Sequence, residues 1–185
     1  ADGDFATVMF CGPFYSLAME VREIFAKNVV LELIELGMNN AQFNVNFNEF
    51  PSFNDCLFTR NGPDKIELMF SANLGEPLKP LSMIISGGEM SRFMLAIKTQ
   101  LSEMNEISTY IFDEIDAGIS GKTAKVVGEK LARIAKSTQI IAVSHLAQIA
   151  VMSDEEFLIE KLEENGKTLT NVHHLDSTQK TQEIV

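Results

Sequence analysis

Apolar and polar residues alternate along the first half of the chain in patterns that predict a long helix and several strands. Apolar residues recur at helical spacing over residues 17–36, and Gly37 follows them as a typical helix-ending residue. Three apolar residues then alternate with polar ones and predict a half-buried strand: Phe43, Val45 and Phe47. A hairpin is expected from residues 56–60 and 66–70, followed by a loop at 73–80.

The second half contains two short apolar runs that each end in polar side chains. Residues 109–112 lead directly into Asp113 and Glu114, and residues 139–144 lead into His145. A helix is expected between the two runs, and a short helix and a terminal hairpin are expected after them. The pattern predicts an α/β fold with parallel core strands, whose carboxyl ends are the usual place for a ligand.

The acidic pair after the first run has two interpretations. A carboxylate at the end of a buried strand must be paired, hydrated or bound to a cation. In a Walker B strand, Asp113 would help to hold Mg²⁺ through water, and Glu114 would orient and deprotonate the water that attacks a γ-phosphate. Alternatively, Asp113 caps the next helix and Glu114 lies in its first turn.

A second motif, Ser86-Gly87-Gly88-Glu89, precedes apolar residues at helical spacing. The serine and glutamate form a capping box that requires no function, but two glycines in a first turn cost up to ~1 kcal/mol each relative to alanine. Bare backbone amides at a helix start form an anion site. The motif resembles the signature loop of an ATP-binding cassette, which holds the γ-phosphate of a nucleotide bound on the opposing subunit.

Two further residues complete the candidate site. His145 is either a structural histidine or, beside the other motifs, a switch histidine that contacts the γ-phosphate and the attacking water. Residues 115–121 form a turn-rich link that is either an ordinary loop or a D-loop along a dimer interface, in which Asp116 carries the function.

The combined motifs resemble one family. Residues 78–100 and 110–149 are closely similar to the carboxyl-terminal part of RecN, a family of bacterial DNA repair proteins in the SMC-like ATPase group, and the similarity covers residues 16–185. The string Asp-Glu-Ile-Asp-Ala-Gly-Ile-Ser-Gly at 113–121 separates RecN from SMC proteins proper. The resemblance implies a P-loop NTPase head of the ABC/SMC-like type, divided in sequence by a long coiled coil.

On this resemblance the chain holds only the carboxyl-terminal half of the head. Residues 1–14 are an unassigned leader, residues 15–38 end a coiled-coil arm, and residues 39–185 form the half-domain. The amino-terminal half would carry Walker A and the Q-loop. Gly121-Lys122-Thr123 resembles the end of a P-loop, but Asp116 stands where its first glycine belongs, so Lys122 and Thr123 are expected to open the next helix.

The implied function is binding and hydrolysis of ATP with Mg²⁺ at a head-to-head interface, which drives double-strand-break repair and recombination. The implied partners are the protein's own amino-terminal half, a second RecN-like head, and DNA. The chain alone should be inactive. The alternatives are a P-loop kinase or GTPase that uses Gly121-Lys122-Thr123, a non-catalytic dimerisation module, and an SMC-type chromosome structure protein.

Composition narrows these possibilities. With 185 residues, 45% apolar, the chain is long enough for one domain with a core. Its net charge of −11 repels the DNA backbone, so the main DNA contact is expected elsewhere in the full protein. Cys11 and Cys56 lack metal or redox spacing, and no apolar run is long enough to span a membrane, which favours a cytoplasmic protein. His173 and His174 are expected at the surface.

Overall fold

The computed structural model describes residues 3–47, 66–83, 87–101, 107–164 and 167–184, and it divides into two compact units, Ala1–Met104 and Asn105–Val185. The first unit contains three strands, two helices and a short 3-10 turn. These are α1 (Gly3–Glu35), β1 (Gln42–Phe47), β2 (Ile66–Ser71), β3 (Lys79–Pro80), the turn Leu81–Met83 and α2 (Gly87–Gln100).

Helix α1 ends as predicted. Gly37 adopts φ 82°, a left-handed conformation that glycine accepts without strain, and the N–H of Met38 donates to the carbonyl of Leu33 at 2.9 Å. The expected start at residue 17 is wrong, because α1 already begins at Gly3 and includes most of the segment expected to be a leader. Gly12 and Pro13 disfavour a helix interior, yet α1 continues through them.

The first unit buries an aromatic core between α1, α2 and a three-stranded sheet of order β1-β2-β3. The predicted strand at 42–47 is confirmed, and it pairs antiparallel with β2. The ring of Phe93 lies 5.3 Å from Phe43 and 4.9 Å from Phe70, centroid to centroid. Residues 56–60 lie outside the described residues. Within the expected loop, Lys79 and Pro80 form β3, where a proline is tolerated because the strand is short and at the edge.

The second unit is built around two parallel strands. It contains β4 (Thr109–Phe112), α3 (Gly121–Ile134), β5 (Gln139–Ala142), α4 (Ala147–Ala150), β6 (Phe157–Glu164), β7 (Lys167–His174) and α5 (Ser177–Ile184). Strands β4 and β5 pair in parallel, with Phe112 opposite Ala142, as the sequence predicted. Lys122 and Thr123 lie in the first turn of α3, which confirms their expected place at the start of a helix.

The end of the chain combines a predicted hairpin with a helix that was not expected. Strands β6 and β7 pair antiparallel over their full lengths, and His173 and His174 are exposed as predicted. Helix α5 follows, and Asp176 and Gln179 cap it reciprocally: Asp176 Oδ1 accepts the N–H of Gln179 at 2.9 Å, and Gln179 Oε1 accepts the N–H of Asp176 at 2.9 Å. Among the residues described, no helix is both long and apolar enough to cross a membrane.

Candidate functional site

The parallel pairing of β4 and β5 brings two candidate segments to one edge of the sheet. The N–H of Val143 donates to the carbonyl of Phe112 at 2.9 Å, so the strands stay paired up to their carboxyl ends. Asp113 and Glu114 follow β4, and His145 follows β5 after two further residues. The acidic pair and the imidazole therefore leave the sheet at the same edge, as expected for strands that run in parallel.

Glu114 has an unusual backbone. Its φ of 52° makes it the only non-glycine residue with positive φ among the residues described. This conformation costs a residue with a Cβ roughly 1–2 kcal/mol. The side chain is exposed, and within the described part of the chain no hydrogen bond or ion pair is formed by its carboxylate. Strain at an exposed acidic residue is typical of functional sites.

The helix-capping alternative for the acidic pair is wrong. Helix α3 begins at Gly121 and its N-cap is Ser120, six residues after Glu114. The intervening residues form turns, in which the N–H of Ala117 donates to the carbonyl of Glu114 at 3.0 Å. Asp113 and Glu114 are both exposed and lie outside any helix.

Asp116 is buried, with 3% of its surface exposed, and it is bonded to the segment after β5. Its Oδ2 accepts the hydroxyl of Ser144 at 2.5 Å and the backbone N–H of His145 at 2.7 Å. The imidazole Nδ1 of His145 lies 3.1 Å from the same oxygen. Asp116 therefore joins the loop after β4 to the residues that follow β5.

These contacts keep Asp116 ionised. Burial by itself raises the pKa of this carboxyl, but the hydrogen bonds from Ser144 and the His145 N–H, with the charge of the nearby imidazole, outweigh burial and hold the pKa below its ordinary value of 3.8. An ionised carboxylate offers only acceptor atoms, so with Nδ1 of His145 3.1 Å away a proton on Nδ1 is favoured over a lone pair facing the carboxylate. The side chain of His145 is 77% exposed, and its other nitrogen, Nε2, is left as an acceptor when the ring is neutral.

The signature motif belongs to the first unit. Ser86 lies outside the described residues, while Gly87 and Gly88 form the first turn of α2. Gly87 is exposed, Gly88 is buried and Glu89 is half-buried. The two glycines thus stand at a helix start in the first unit, as the anion-site interpretation requires, whereas Glu114 belongs to the second unit.

The carboxylates at the sheet edge do not form a metal cage by themselves. In the ranges that the structure covers, no three His, Cys, Asp or Glu side chains lie together as they would to hold an ion. Asp113 remains the exposed carboxylate nearest the end of β4, and its oxygens are of the type that Mg²⁺ prefers alongside water and phosphate.

One residue of this arrangement escaped sequence reasoning. The sequence pattern places Ser144 only at the end of a strand, yet its hydroxyl donates to Asp116 and accepts the N–H of Leu146 at 3.1 Å. A serine directly before a candidate histidine, at the corner between a strand and a helix, was a usable signal. Its partner on another loop was not visible in the sequence.

Comparison with known proteins reveals relatives that match most of this chain with part of their own length. No family model matches. The DNA repair protein RecN of Deinococcus radiodurans is 44% identical over 81% of this chain and 25% of its own length. The RecN proteins of Halalkalibacterium halodurans and Treponema pallidum are each 39% identical, over 91% and 97% of this chain and 29% and 32% of their own lengths. The Treponema match leaves too few residues uncovered for residues 1–14 to lie wholly outside it.

Two solved structures share the fold. The Smc head domain with coiled coil and joint from Pyrococcus yayanosii aligns over 90% of this chain and 29% of its own, with a TM-score of 0.55 and 20% identity. The Smc head domain with an extended coiled coil from Pyrococcus furiosus, solved with the C-terminal domain of ScpA, aligns over 89% of this chain and 38% of its own, with a TM-score of 0.52 and 20% identity. At this identity the likeness concerns the fold.

The two comparisons agree with the motifs. The chain spans about three-tenths of the length of the curated relatives that it matches. Its α/β fold is that of the Smc head domains. By sequence, the chain is a RecN-like segment.

Proposed function

We propose that this chain is the carboxyl-terminal half of an ATPase head that binds and hydrolyses ATP at the interface of two heads and so drives DNA double-strand-break repair and recombination. The observation that carries the proposal is the sheet edge after β4 and β5, where the strained, exposed Glu114 and the exposed, oriented His145 emerge from neighbouring parallel strands. The names of the RecN relatives support the role in DNA repair.

In this proposal each side chain at the edge has one task. Glu114 orients the attacking water and takes its proton, for which an exposed carboxylate with no competing partner among the described residues is suited. His145 contacts the γ-phosphate and the water through its outward nitrogen. Asp113 would hold Mg²⁺, which when bound neutralises charge on the phosphates.

The signature motif would act on the opposing subunit. Gly87 and Gly88, with Ser86 and Glu89, would hold the γ-phosphate of a nucleotide seated on the other head, because the first turn of α2 offers backbone N–H groups without a Cβ in the way. The D-loop, residues 115–121, would lie along the same interface. Two heads would then enclose two ATP molecules.

The first partner that the proposal requires is the amino-terminal half of the same head. One face of the β4–β5 pair is bare: Ile111 is 70% exposed, and Ile141 and Val143 are 46% and 47% exposed. Ile111 and Ile141 lie opposite each other in the register. Parallel sheets are normally covered on both faces, and the relatives are more than three times as long as this chain, so they contain further segments to cover it.

DNA is a partner of the whole protein in this proposal. The net charge of −11 makes this segment a poor surface for the phosphate backbone. We place the main DNA contact on other parts of the protein or on a surface that forms when two heads meet. Action on bacterial chromosomal DNA also implies a cytoplasmic protein.

The experiment that tests the proposal is ATP turnover by the full-length protein with Glu114→Gln. We expect ATP to bind as in the wild type while turnover falls on the order of 10²- to 10⁴-fold, because the amide cannot accept a proton. Glu129→Gln is the matched control, since Glu129 is exposed on α3 and its one side-chain contact within the described residues is a surface ion pair with Lys125. Turnover by Glu114→Gln close to that of the control would refute the proposal.

A further inference from the structure

One oxygen of Asp116 accepts two hydrogen bonds from consecutive residues and is also close to the imidazole of the second residue. The Ser144 hydroxyl, the His145 backbone N–H and the His145 Nδ1 lie 2.5, 2.7 and 3.1 Å from Oδ2. Hydrogen bonds to a buried charged acceptor are among the stronger ones in proteins. The backbone hydrogen bond fixes the position of His145, and the nearby anion favours the imidazole orientation and tautomer that turn a protonated Nδ1 toward it.

Ser144 completes this arrangement. Its hydroxyl donates to Asp116 and, through a lone pair, accepts the N–H of Leu146, the N-cap residue of α4. The corner between β5 and α4 is therefore tied to the loop after β4 through Ser144 and His145, and Ser144 in turn holds Leu146. Helix α4 is in turn held against α3, because Gly128 lets its backbone approach closely: a Cβ there would lie 3.3 Å from the carbonyl oxygen of Gln148.

We propose that Asp116 and Ser144 form a clamp that positions His145, keeps a proton on its Nδ1 and thereby presents Nε2 as the nitrogen that meets the ligand. The clamp is a property of the folded chain. Its use in catalysis rests on the function proposed above. Asp116 and Ser144 are positioning residues, since both act through the imidazole.

The clamp also gives the loop after β4 a way to control His145. The Asp116 carboxylate is buried and engaged within its own chain, whereas Gly118 and Ser120 of the same loop are exposed. A second head that presses on the exposed part of the loop would shift the acceptor on which the imidazole depends. Assembly of the dimer would in this way reach the histidine through Asp116.

His174 provides a contrast within the same chain. Its Nε2 lies 2.6 Å from Glu155 Oε2, so its proton should reside on Nε2 when the ring is neutral. His145 should carry its proton on Nδ1. Two histidines of one molecule are thus expected to show opposite tautomers for the same physical reason, a carboxylate that selects the nitrogen facing it.

The test is long-range ¹H–¹⁵N NMR of the imidazole rings in the 185-residue chain at a pH where they are neutral, with His145→Gln used to assign the signal. We expect the Nδ1–H form for His145 and the Nε2–H form for His174. Wild-type His145 in the Nε2–H form, or as an unbiased mixture, would overturn the clamp. This measurement needs no destabilising variant.

Variants then identify what holds the ring. Ser144→Ala and Asp116→Asn should move His145 toward a mixture of tautomers, because an alanine donates nothing and an amide can either donate to or accept from the ring. Ser137→Ala is the control, since among the described residues that hydroxyl donates only to the carbonyl of Ile134. An unchanged His145 signal in both clamp variants would contradict the proposal.

A catalytic readout separates the clamp from the proposed function. In the full-length protein, Ser144→Ala should lower kcat on the order of 10- to 100-fold and leave the KM for ATP nearly unchanged, as when a group that orients a functional imidazole is removed. Normal turnover by Ser144→Ala would overturn the positioning role even if Glu114→Gln is inactive. Normal turnover by Glu114→Gln would refute ATP hydrolysis at this edge, whatever the tautomer of His145.

Discussion

Glu114 shows what a single residue reveals about this site. A glutamate with φ of 52° is strained, and glycine would relieve the strain if only the turn mattered. A carboxylate at this position has the role of general base in the proposed reaction. The sequence identifies Asp113 and Glu114 as candidates because an apolar strand that ends in two acidic residues is unusual. It does not predict the positive φ of Glu114, because that conformation depends on the path of the turn that follows and buries Asp116.

Asp116 and Ser144 mark the limit of prediction at this scale. The sequence placed Asp116 in a loop and predicted an interface role for it, which stays a prediction. The structure adds a buried carboxylate that contacts residues 28 and 29 positions further along the chain. These contacts depend on the parallel arrangement of β4 and β5, and no residue spacing in the sequence predicts them.

The lowered pKa of Asp116 leads to a prediction about pH. Its folded-state pKa lies below the ordinary value of 3.8, so its contribution to stability is present above pH 3.8 and is lost as the pH falls through the folded value. We expect the free energy of unfolding of the wild-type chain to decrease on acidification in that range more steeply than that of Asp116→Asn. Urea unfolding between pH 2.5 and about 6 measures this.

The chain contains 26 Asp and Glu residues, so the comparison between the two proteins carries the test. The difference in unfolding free energy between wild type and Asp116→Asn should be largest near neutral pH and should shrink in acid. A difference that stays constant across the pH range would show that ionisation of Asp116 contributes nothing to the free energy of unfolding.

At the scale of elements, close packing of α3 on α4 supports the histidine. A Cβ at Gly128 would lie 3.1 Å from Met152 Cγ and 3.6 Å from the Cα of Ile149. Gly128→Val should therefore push the two helices apart and lower the free energy of unfolding by about 1–3 kcal/mol, as overpacked cores do. Chemical denaturation of the chain measures the loss.

The control for this substitution lies one residue along the same helix. Glu129→Val places the same side chain on the exposed face of α3 and should change the stability only by its helix propensity, less than about 1 kcal/mol. Equal destabilisation by the two variants would contradict this explanation, because it would show that close packing between α3 and α4 does not exclude a larger residue at position 128.

Elements with strong periodicity or clear turn signals were predicted well, and the misses have physical reasons. Strand β1, helix α3 and the β6–β7 hairpin follow from alternation and helical spacing. Helix α5 was missed because its residues are polar and show no apolar stripe, although Asp176 and Gln179 have the spacing of a capping box. The start of α1 was placed too late, where Gly12 and Pro13 disfavour a helix.

At the scale of the whole molecule, the exposed apolar face of β4 and β5 and the greater length of the relatives indicate that this chain acts together with further protein segments. The bare face of the β4–β5 pair is apolar, and a two-stranded parallel sheet is far smaller than the sheets in which such strands usually occur. The relatives are several times longer. In the proposed function, residues of this chain act on ATP, and the lysine that holds its phosphates would come from the other half of the head.

The most direct test of the account is ATP turnover by this chain alone and after co-expression with the upstream half of the head from the same protein. We expect no turnover by the chain alone and clear turnover by the pair, abolished by Glu114→Gln and preserved in Glu129→Gln. Turnover by the isolated chain, or turnover by the pair that does not depend on Glu114, would contradict the claim that this sheet edge is one half of a composite ATPase site.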